Sequence, residues 1–200
     1  MNPYVRLQAV NTEVLDRPGA TILAPVHRSH LDSPLIATKS SRRIRALGKE
    51  SLFTTPGVSW VCAALGAIPV KRGEADRDAL KTALLLLEQG ETMIVFPEGT
   101  RREGNEIGQL FDGAAWLSAR TGAPIVPIGI AGTSEVLPSG AKLPRRSHVA
   151  IVVGDPIPAP IGDDGKRPNR KAIRTTTEAL TKQLQEAQDS AVALATETKT

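Results

Sequence analysis

The chain has 200 residues, of which 40% are hydrophobic and only 3% are aromatic, so we expect one domain with an aliphatic core. Its formal net charge of +4 suits an anionic substrate or an acidic membrane surface, but is too small an excess to indicate nucleic acid as a partner. The single cysteine, Cys62, excludes an internal disulfide and fits a reducing compartment.

Neither a signal peptide nor a membrane-spanning helix is expected. The start, MNPYVRLQAVNTEV, lacks a basic region leading into an apolar one. The longest apolar run, residues 57–70, is 14 residues long, whereas a spanning helix needs about 18.

The first predicted strand is the apolar run TILAPV at 21–26, and a short helix follows it. That helix has two possible starts. Ser33 could be the N-cap with Pro34 at the first helical position, or Ser29 could be the cap with Asp32 completing a capping-box variant.

The rest of the chain continues to alternate strands and helices. In chain order we predict a strand at 44–49, a turn and helix at 52–65, a strand at 67–72, a helix at 74–90, a strand at 92–96, a helix at 112–122, strands at 124–130 and 148–154, and a closing helix at 170–188. This alternation predicts a single α/β domain over 1–188, with a mixed, largely parallel central sheet flanked by helices. The Ala/Thr-rich residues 189–200 are predicted to form a flexible C-terminal tail.

Polar residues fall directly after three of the predicted strands. His27 follows the first strand, Arg72 ends the third, and Glu98 and Arg101 follow the fourth. Ligands of open α/β sheets bind beyond the carboxyl ends of the strands, so parallel strands would bring these three segments into one cleft.

The segment APVHRSHLDSP (24–34) holds two of the three histidines of the chain. An imidazole held by a carboxylate is a general-base arrangement, and a short turn would fold Asp32 back towards His27. The plain alternative is that Asp32 caps a helix and His27 is an ordinary residue at the end of a strand. A metal site is the third possibility, with His27, His30 and Asp32 as ligands.

The cations near the predicted cleft indicate a phosphate-bearing substrate. Arg72, with Lys71 beside it, and Arg101 would contribute guanidinium and ammonium donors. The alternative for each arginine is a solvated charge or a salt bridge, such as Arg101 with Glu98. Neither a G-x-S-x-G nucleophile elbow nor a G-x-x-x-x-G-K-[ST] phosphate loop is present in the sequence.

Four segments together resemble the sequence blocks of the glycerolipid acyltransferases. VHRSHLD matches the H-x-x-x-x-D box of that family, and FPEGTRR (96–102) closely resembles its third block. GAIPVKRG (66–73) resembles the second block and VPIGI (126–130) the fourth. The blocks stand in the family's order, and the resemblance covers roughly residues 20–160.

The resemblance implies a glycerol-3-phosphate acyltransferase-like fold and an O-acyltransferase of phospholipid biosynthesis. The donor would be acyl-CoA or acyl-carrier protein, the acceptor a hydroxyl of lysophosphatidic acid or glycerol phosphate, and no further cofactor or metal would be needed. It also implies that His27 is the catalytic base and that Asp32 orients it. The residues implied in substrate binding are Arg28, Ser29, Lys49, Lys71, Arg72, Glu98, Gly99, Thr100 and Arg101.

Other functions stay open at this point: acyl transfer to another lysolipid or a glycolipid, a non-catalytic lipid-binding module, or a metal-dependent hydrolase. A lipid-handling enzyme implies a cytoplasmic protein, peripheral on the inner face of the cell membrane. Segment 57–66 would then meet lipid or line an acyl tunnel, the alternative being that it is simply core. The candidate membrane-facing residues are Val58, Trp60, Val61, Leu65, Arg42, Arg43, Arg45, Lys71 and Arg72.

Overall fold

A computed structural model describes residues 5–49, 53–54, 59, 66–70, 75–138, 143, 145–162 and 168–197. Its strands are β1 (Val5–Val10), β2 (Thr21–Pro25), β3 (Ile44–Lys49), β4 (Ala67–Val70), β5 (Thr92–Ile94), β6 (Ile125–Ala131) and β7 (Ser147–Val153). Its α-helices are α1 (Asp32–Ala37), α2 (Ala75–Glu88), α3 (Gly113–Thr121), α4 (Thr133–Val136) and α5 (Arg170–Glu197), and a 3₁₀ turn covers Thr12–Asp16.

The described strands form one sheet in the order β1-β7-β6-β2-β5-β3-β4. Every neighbouring pair is parallel except β6 with β7, which is antiparallel. The predicted mixed, largely parallel α/β sheet is therefore confirmed. All six predicted strands are present, and the carboxyl ends of β2 to β6 lie at one edge of the sheet.

Strand β1 was not predicted, although its sequence carries a signal. Its residues alternate between half-buried and exposed, and Val5, Leu7 and Ala9 pack against the core. It pairs in parallel with β7, with Arg6 opposite His148. The alternation is typical of a strand with one buried face, but its partner lies far away in the sequence.

The start of α1 corrects both predicted caps. The helix begins at Asp32, so Ser33 and Pro34 lie within its first turn, and no side chain caps it. The Asp32 carboxylate does accept the backbone N–H of Ser29 at 2.8 Å, which is one arm of the capping-box alternative.

The closing helix α5 is longer than predicted, and the prediction of a flexible tail is wrong for residues up to Glu197. Ala191 and Ala195 are buried in this added part of the helix. At its centre, α5 packs close to β6, where a Cβ on Gly129 would collide with the Ala187 carbonyl. Small residues on both elements thus let the helix lie close against the sheet.

Most of the predicted helix at 52–65 lies outside the described residues. Among the helices that the structure describes, none combines the length and the apolar character needed to span a membrane.

Candidate active site

His27 leaves the sheet directly beyond β2, at the carboxyl edge. Its backbone N–H donates to Glu98 Oε2 at 3.1 Å, and its carbonyl accepts the backbone N–H of Arg102 at 2.9 Å. Both partners come from the chain that follows β5. The loop that follows β5 therefore holds the backbone of His27 through both its N–H and its carbonyl group.

The side chain of His27 is held by Asp32, as the short spacing predicts. Nδ1 of His27 lies 3.0 Å from Oδ2 of Asp32, a carboxylate that is fully buried. Because an ionised carboxylate can only accept, Nδ1 donates in this contact, and in the neutral imidazole Nε2 then keeps its lone pair. This is the tautomer that a general base needs.

Asp32 accepts three further hydrogen bonds. Its Oδ2 receives the backbone N–H groups of Arg28 at 2.7 Å and Ser29 at 2.8 Å, while its Oδ1 receives the hydroxyl of Thr133 at 2.7 Å. These donors replace the water that burial removes.

Phe96, the second residue after β5, stacks on the imidazole of His27. The ring centroids are 3.8 Å apart and the ring planes are inclined by 20°. The stack covers one face of the imidazole, and the His27 side chain keeps 20% of its surface exposed. The ring is thus fixed in its plane while part of it stays open to the cleft.

Arg28 and Glu98 form a buried ion pair behind His27. Arg28 Nη1 lies 2.7 Å from Glu98 Oε2, and the two side chains are only 5% and 0% exposed. Glu98 Oε1 accepts the Gly108 backbone N–H at 3.1 Å, and Arg28 also donates to the carbonyls of Gly104 and Glu106. The pair ties the loop after β5 to the segment after β2.

This burial corrects part of the predicted substrate-binding set. The side chains of Arg28 and Glu98 are engaged inside the protein, and Ser29 is 3% exposed. Side chains buried and engaged in this way support the site from within. The predicted alternative of an Arg101–Glu98 salt bridge is also wrong, because Glu98 pairs with Arg28 and, at 3.8 Å, with Arg102.

Gly99, Thr100 and Arg101 do lie exposed at the rim. Gly99 adopts a left-handed backbone with φ 68°, and a Cβ there would come within 2.9 Å of Phe111. The left-handed backbone favours glycine at this position, whereas the exposed Phe111 ring could move aside for a side chain. The turn brings Arg101 to the mouth of the site with no ion-pair partner among the described residues.

His30 lies exposed near the same rim. Partial desolvation is the largest cause that lowers the pKa of His30 below its usual value; the nearby Arg101 and His27 lower it further, and Asp32 only partly offsets this. The exposed guanidinium of Arg101 at this rim suits an anionic ligand.

Several predicted residues cannot be placed. Lys71 and Arg72 lie outside the described residues, as does the apolar stretch from Trp60 to Leu65. Lys49 is the last residue of β3, with its backbone opposite Val70 of β4, but its side chain is not described. Across the part of the chain that is described, no group of three or more His, Cys, Asp or Glu is arranged to hold a metal ion.

Sequence reasoning missed Phe96 and Thr133. Both follow strands whose carboxyl ends meet at the same edge as His27, so their position in the order of elements was a usable signal. Nothing in the sequence distinguishes these two side chains from their neighbours as direct partners of His27 and Asp32.

Together, the fold and the site define an α/β protein with a histidine–aspartate pair at the carboxyl edge of its sheet. A family model described as Acyltransferase matches residues 6–131. The chain therefore belongs to the Acyltransferase family, as its four sequence blocks predict.

Several curated relatives carry one name. A chloroplastic 1-acyl-sn-glycerol-3-phosphate acyltransferase of Brassica napus is 30% identical over 134 residues, which cover 66% of this chain and 39% of that protein. A 1-acyl-sn-glycerol-3-phosphate acyltransferase of Bacillus subtilis (strain 168) is 26% identical over 181 residues, covering 90% of this chain and 87% of the relative. The chain thus spans about two fifths of the plant relative and most of the bacterial one.

A solved structure shares the fold. The crystal structure of the 1-acyl-sn-glycerophosphate acyltransferase PlsC from Thermotoga maritima superposes with a TM-score of 0.72. The match covers 92% of this chain and 73% of that chain at 24% sequence identity. At this level of identity the likeness supports the fold assignment and no finer statement.

Proposed function

We propose that this protein is an O-acyltransferase of phospholipid synthesis. It would move a fatty acyl group from a thioester donor to the free hydroxyl of a 1-acyl-sn-glycerol-3-phosphate-type acceptor. The observation that carries the proposal is the 3.0 Å contact between His27 Nδ1 and the buried Asp32 carboxylate, which leaves Nε2 available as a base. The names of the curated relatives support the choice of acceptor.

The reaction needs no covalent enzyme intermediate. Nε2 of His27 takes the proton of the acceptor hydroxyl as that oxygen attacks the thioester carbonyl. Asp32 stabilises the imidazolium that forms. The tetrahedral intermediate then collapses, the carbon–sulfur bond breaks, and the imidazolium returns the proton to the leaving thiolate. Backbone N–H groups at the cleft floor would stabilise the oxyanion.

The acceptor phosphate would bind at the rim formed by Gly99, Thr100 and Arg101. Arg101 is exposed and has no ion-pair partner among the described residues, so its guanidinium is available for a phosphate. Lys49, Lys71 and Arg72 follow or end strands β3 and β4, whose carboxyl ends lie at the same edge. We keep these three as further proposed phosphate contacts.

The buried residues have a different proposed task. Arg28 and Glu98 fix the loop after β5 against His27, and the Ser29 backbone donates to Asp32. We therefore assign these three residues to holding the base in position, and not to contact with substrate.

The donor would be acyl-CoA or acyl-carrier protein, with no other cofactor. Its acyl chain and the lysolipid both partition into bilayers, so we propose a peripheral position on the inner face of the cell membrane. The exposed Phe111, 65% accessible and in contact with the Gly99 turn, supports an apolar surface beside the rim. The 57–66 segment remains a proposed part of that surface.

A screen of donors and acceptors tests the proposal. Purified protein is incubated with radiolabelled acyl-CoA or acyl-carrier protein and with lysophosphatidic acid, glycerol 3-phosphate, lysophosphatidylcholine or a glycolipid, and phospholipase cleavage locates the new ester. We expect diacylglycerol phosphate from lysophosphatidic acid. Better use of an acceptor without a phosphomonoester would move the assignment to another lysolipid or glycolipid. Absence of product with every pair would overturn it, and chelator-sensitive hydrolysis would indicate a metal hydrolase.

A further inference from the structure

The two oxygens of the Asp32 carboxylate are held in unequal ways. Oδ2 receives three donors: the backbone N–H groups of Arg28 and Ser29, and Nδ1 of His27. Oδ1 receives the hydroxyl of Thr133, at 2.7 Å, and no other described hydrogen bond reaches it. The three bonds to Oδ2 fix the position of that oxygen. They do not fix the plane of the carboxylate, which depends on the bond to Oδ1.

Thr133 is placed for this contact by the chain that follows β6. Gly132 adopts φ 85°, and a Cβ at that position would collide with the His148 carbonyl of β7. The backbone therefore presses against the neighbouring strand and turns into α4 at Thr133, which is fully buried. Its hydroxyl donates to a residue 101 positions away and not to its own helix.

We propose that Thr133 is a positioning residue for the His27 base. Its hydroxyl sets the plane of the Asp32 carboxylate, so that an Oδ2 lone pair points at His27 Nδ1. The kinetic part of this inference rests on the proposed acyl transfer, whereas the contact itself does not. Thr133 is fully buried, which keeps it away from substrate.

The expected consequence follows from leaving Oδ1 without a donor. A buried carboxylate oxygen that loses its partner either draws in water or lets the carboxylate turn, and both misdirect the bond to His27. Because the substrate-facing surface is unchanged, kcat should fall by roughly ten- to a hundredfold with KM nearly constant.

A purely structural role makes a different prediction. Thr133 has two parts, a hydroxyl that touches Asp32 and a methyl group that fills buried space. Thr133→Val removes the hydroxyl and keeps the shape, whereas Thr133→Ser keeps the hydroxyl and removes the methyl group. If only packing matters, activity should follow thermal stability; if positioning matters, it should follow the hydroxyl.

The experiment combines kinetics with NMR of the free protein. The readouts are kcat, KM, the melting temperature and the resonance of the His27 Nδ1 proton, which the bond to Asp32 shifts downfield and protects from exchange. We expect Thr133→Ser to keep the resonance and most of kcat, and Thr133→Val to lose both. If Thr133→Val does not fold, Thr133→Ser and Thr133→Ala give the same comparison, because they too differ by one hydroxyl.

A Thr133→Val protein with wild-type kcat and an unchanged Nδ1 resonance would overturn the inference. Thr133→Ser and Thr133→Val variants whose losses of kcat only follow their losses of melting temperature would also overturn it. If wild-type protein transfers no acyl group, the proposed function fails, and the NMR comparison alone then decides whether Thr133 positions Asp32. The two failures are thus separately visible.

Discussion

Glu98 Oε2 lies 2.7 Å from Nη1 of Arg28 and accepts the backbone N–H of His27 at 3.1 Å. One buried carboxylate therefore holds both the backbone of His27, the proposed base, and the side chain of Arg28 that follows it. The two carboxylates of the site contact different parts of His27: Asp32 binds its imidazole, and Glu98 binds its backbone N–H.

The base is tested by removing it. His27→Ala should lower acyl transfer by roughly 10²–10⁴-fold, because proton removal from the acceptor hydroxyl then has no catalyst. Asp32→Asn should cost nearly as much, since a neutral amide stabilises neither the tautomer nor the imidazolium. Circular dichroism and initial rates are measured for each variant.

The matched control is His30→Ala, which removes the neighbouring exposed histidine and should retain substantial activity. A folded His27→Ala protein that kept more than about a tenth of the wild-type rate would contradict the mechanism.

Glu98 is expected to act through stability. Glu98→Gln removes the charge that compensates buried Arg28, and breaking a buried pair in this way typically costs about 3–5 kcal/mol. Urea denaturation should show this loss. The control is Arg102→Ala, whose partner atom lies 3.8 Å away and whose side chain is 42% exposed, so its cost should stay below about 1 kcal/mol. Unchanged stability of Glu98→Gln with weakened acceptor binding would restore Glu98 as a substrate contact.

Arg101 is expected to act on the acceptor. A charge-assisted contact contributes about 1.5–3 kcal/mol, so Arg101→Ala should lower kcat/KM for the acceptor about tenfold or more while donor KM changes little. Arg120→Ala on α3 removes the same charge from an exposed residue that instead packs over Trp116, and should have no such effect. Equal losses for donor and acceptor would point to the phosphates of the donor instead.

His30 should make the protein less stable in mild acid. Its pKa is lowered in the folded state by desolvation and by the nearby Arg101 and His27, so the unfolded chain binds the proton more tightly. Stability is unaffected above the unfolded pKa of about 6.5 and falls as the pH drops through it. His30→Gln should flatten the pH dependence of the melting temperature between roughly pH 7 and 5. Parallel wild-type and variant curves would contradict this account.

Membrane binding is tested by liposome flotation at low and high salt. A peripheral enzyme with an electropositive rim should float with anionic vesicles, and binding should weaken as salt screens the attraction. Trp60→Ala tests the 57–66 segment and Phe111→Ser the exposed aromatic beside Gly99. No flotation with any lipid, together with unchanged activity of both variants on vesicles, would remove the membrane from the proposal.

The sequence determined those features that depend on neighbouring residues. Short aliphatic runs gave the six predicted strands, because burial on both faces of a parallel sheet requires continuous apolar residues. The contact between His27 and Asp32 was also predictable, since a single turn joins residues five positions apart. The parallel order of the strands then brought the loops after β2 and β5 to one edge.

The tertiary structure decided what depends on distant partners and on depth. In the sequence, Arg28 and Glu98 resemble charges that bind a ligand. The fold buries them together, and because a buried charge needs a partner, they form an ion pair inside the protein. Thr133 reaches Asp32 across 101 positions, and β1 pairs with a strand near the opposite end of the chain. The helix over residues 189–197 was not predicted, because alanine is only weakly hydrophobic and gives little periodic signal. Its burial depends on the sheet face that the helix covers.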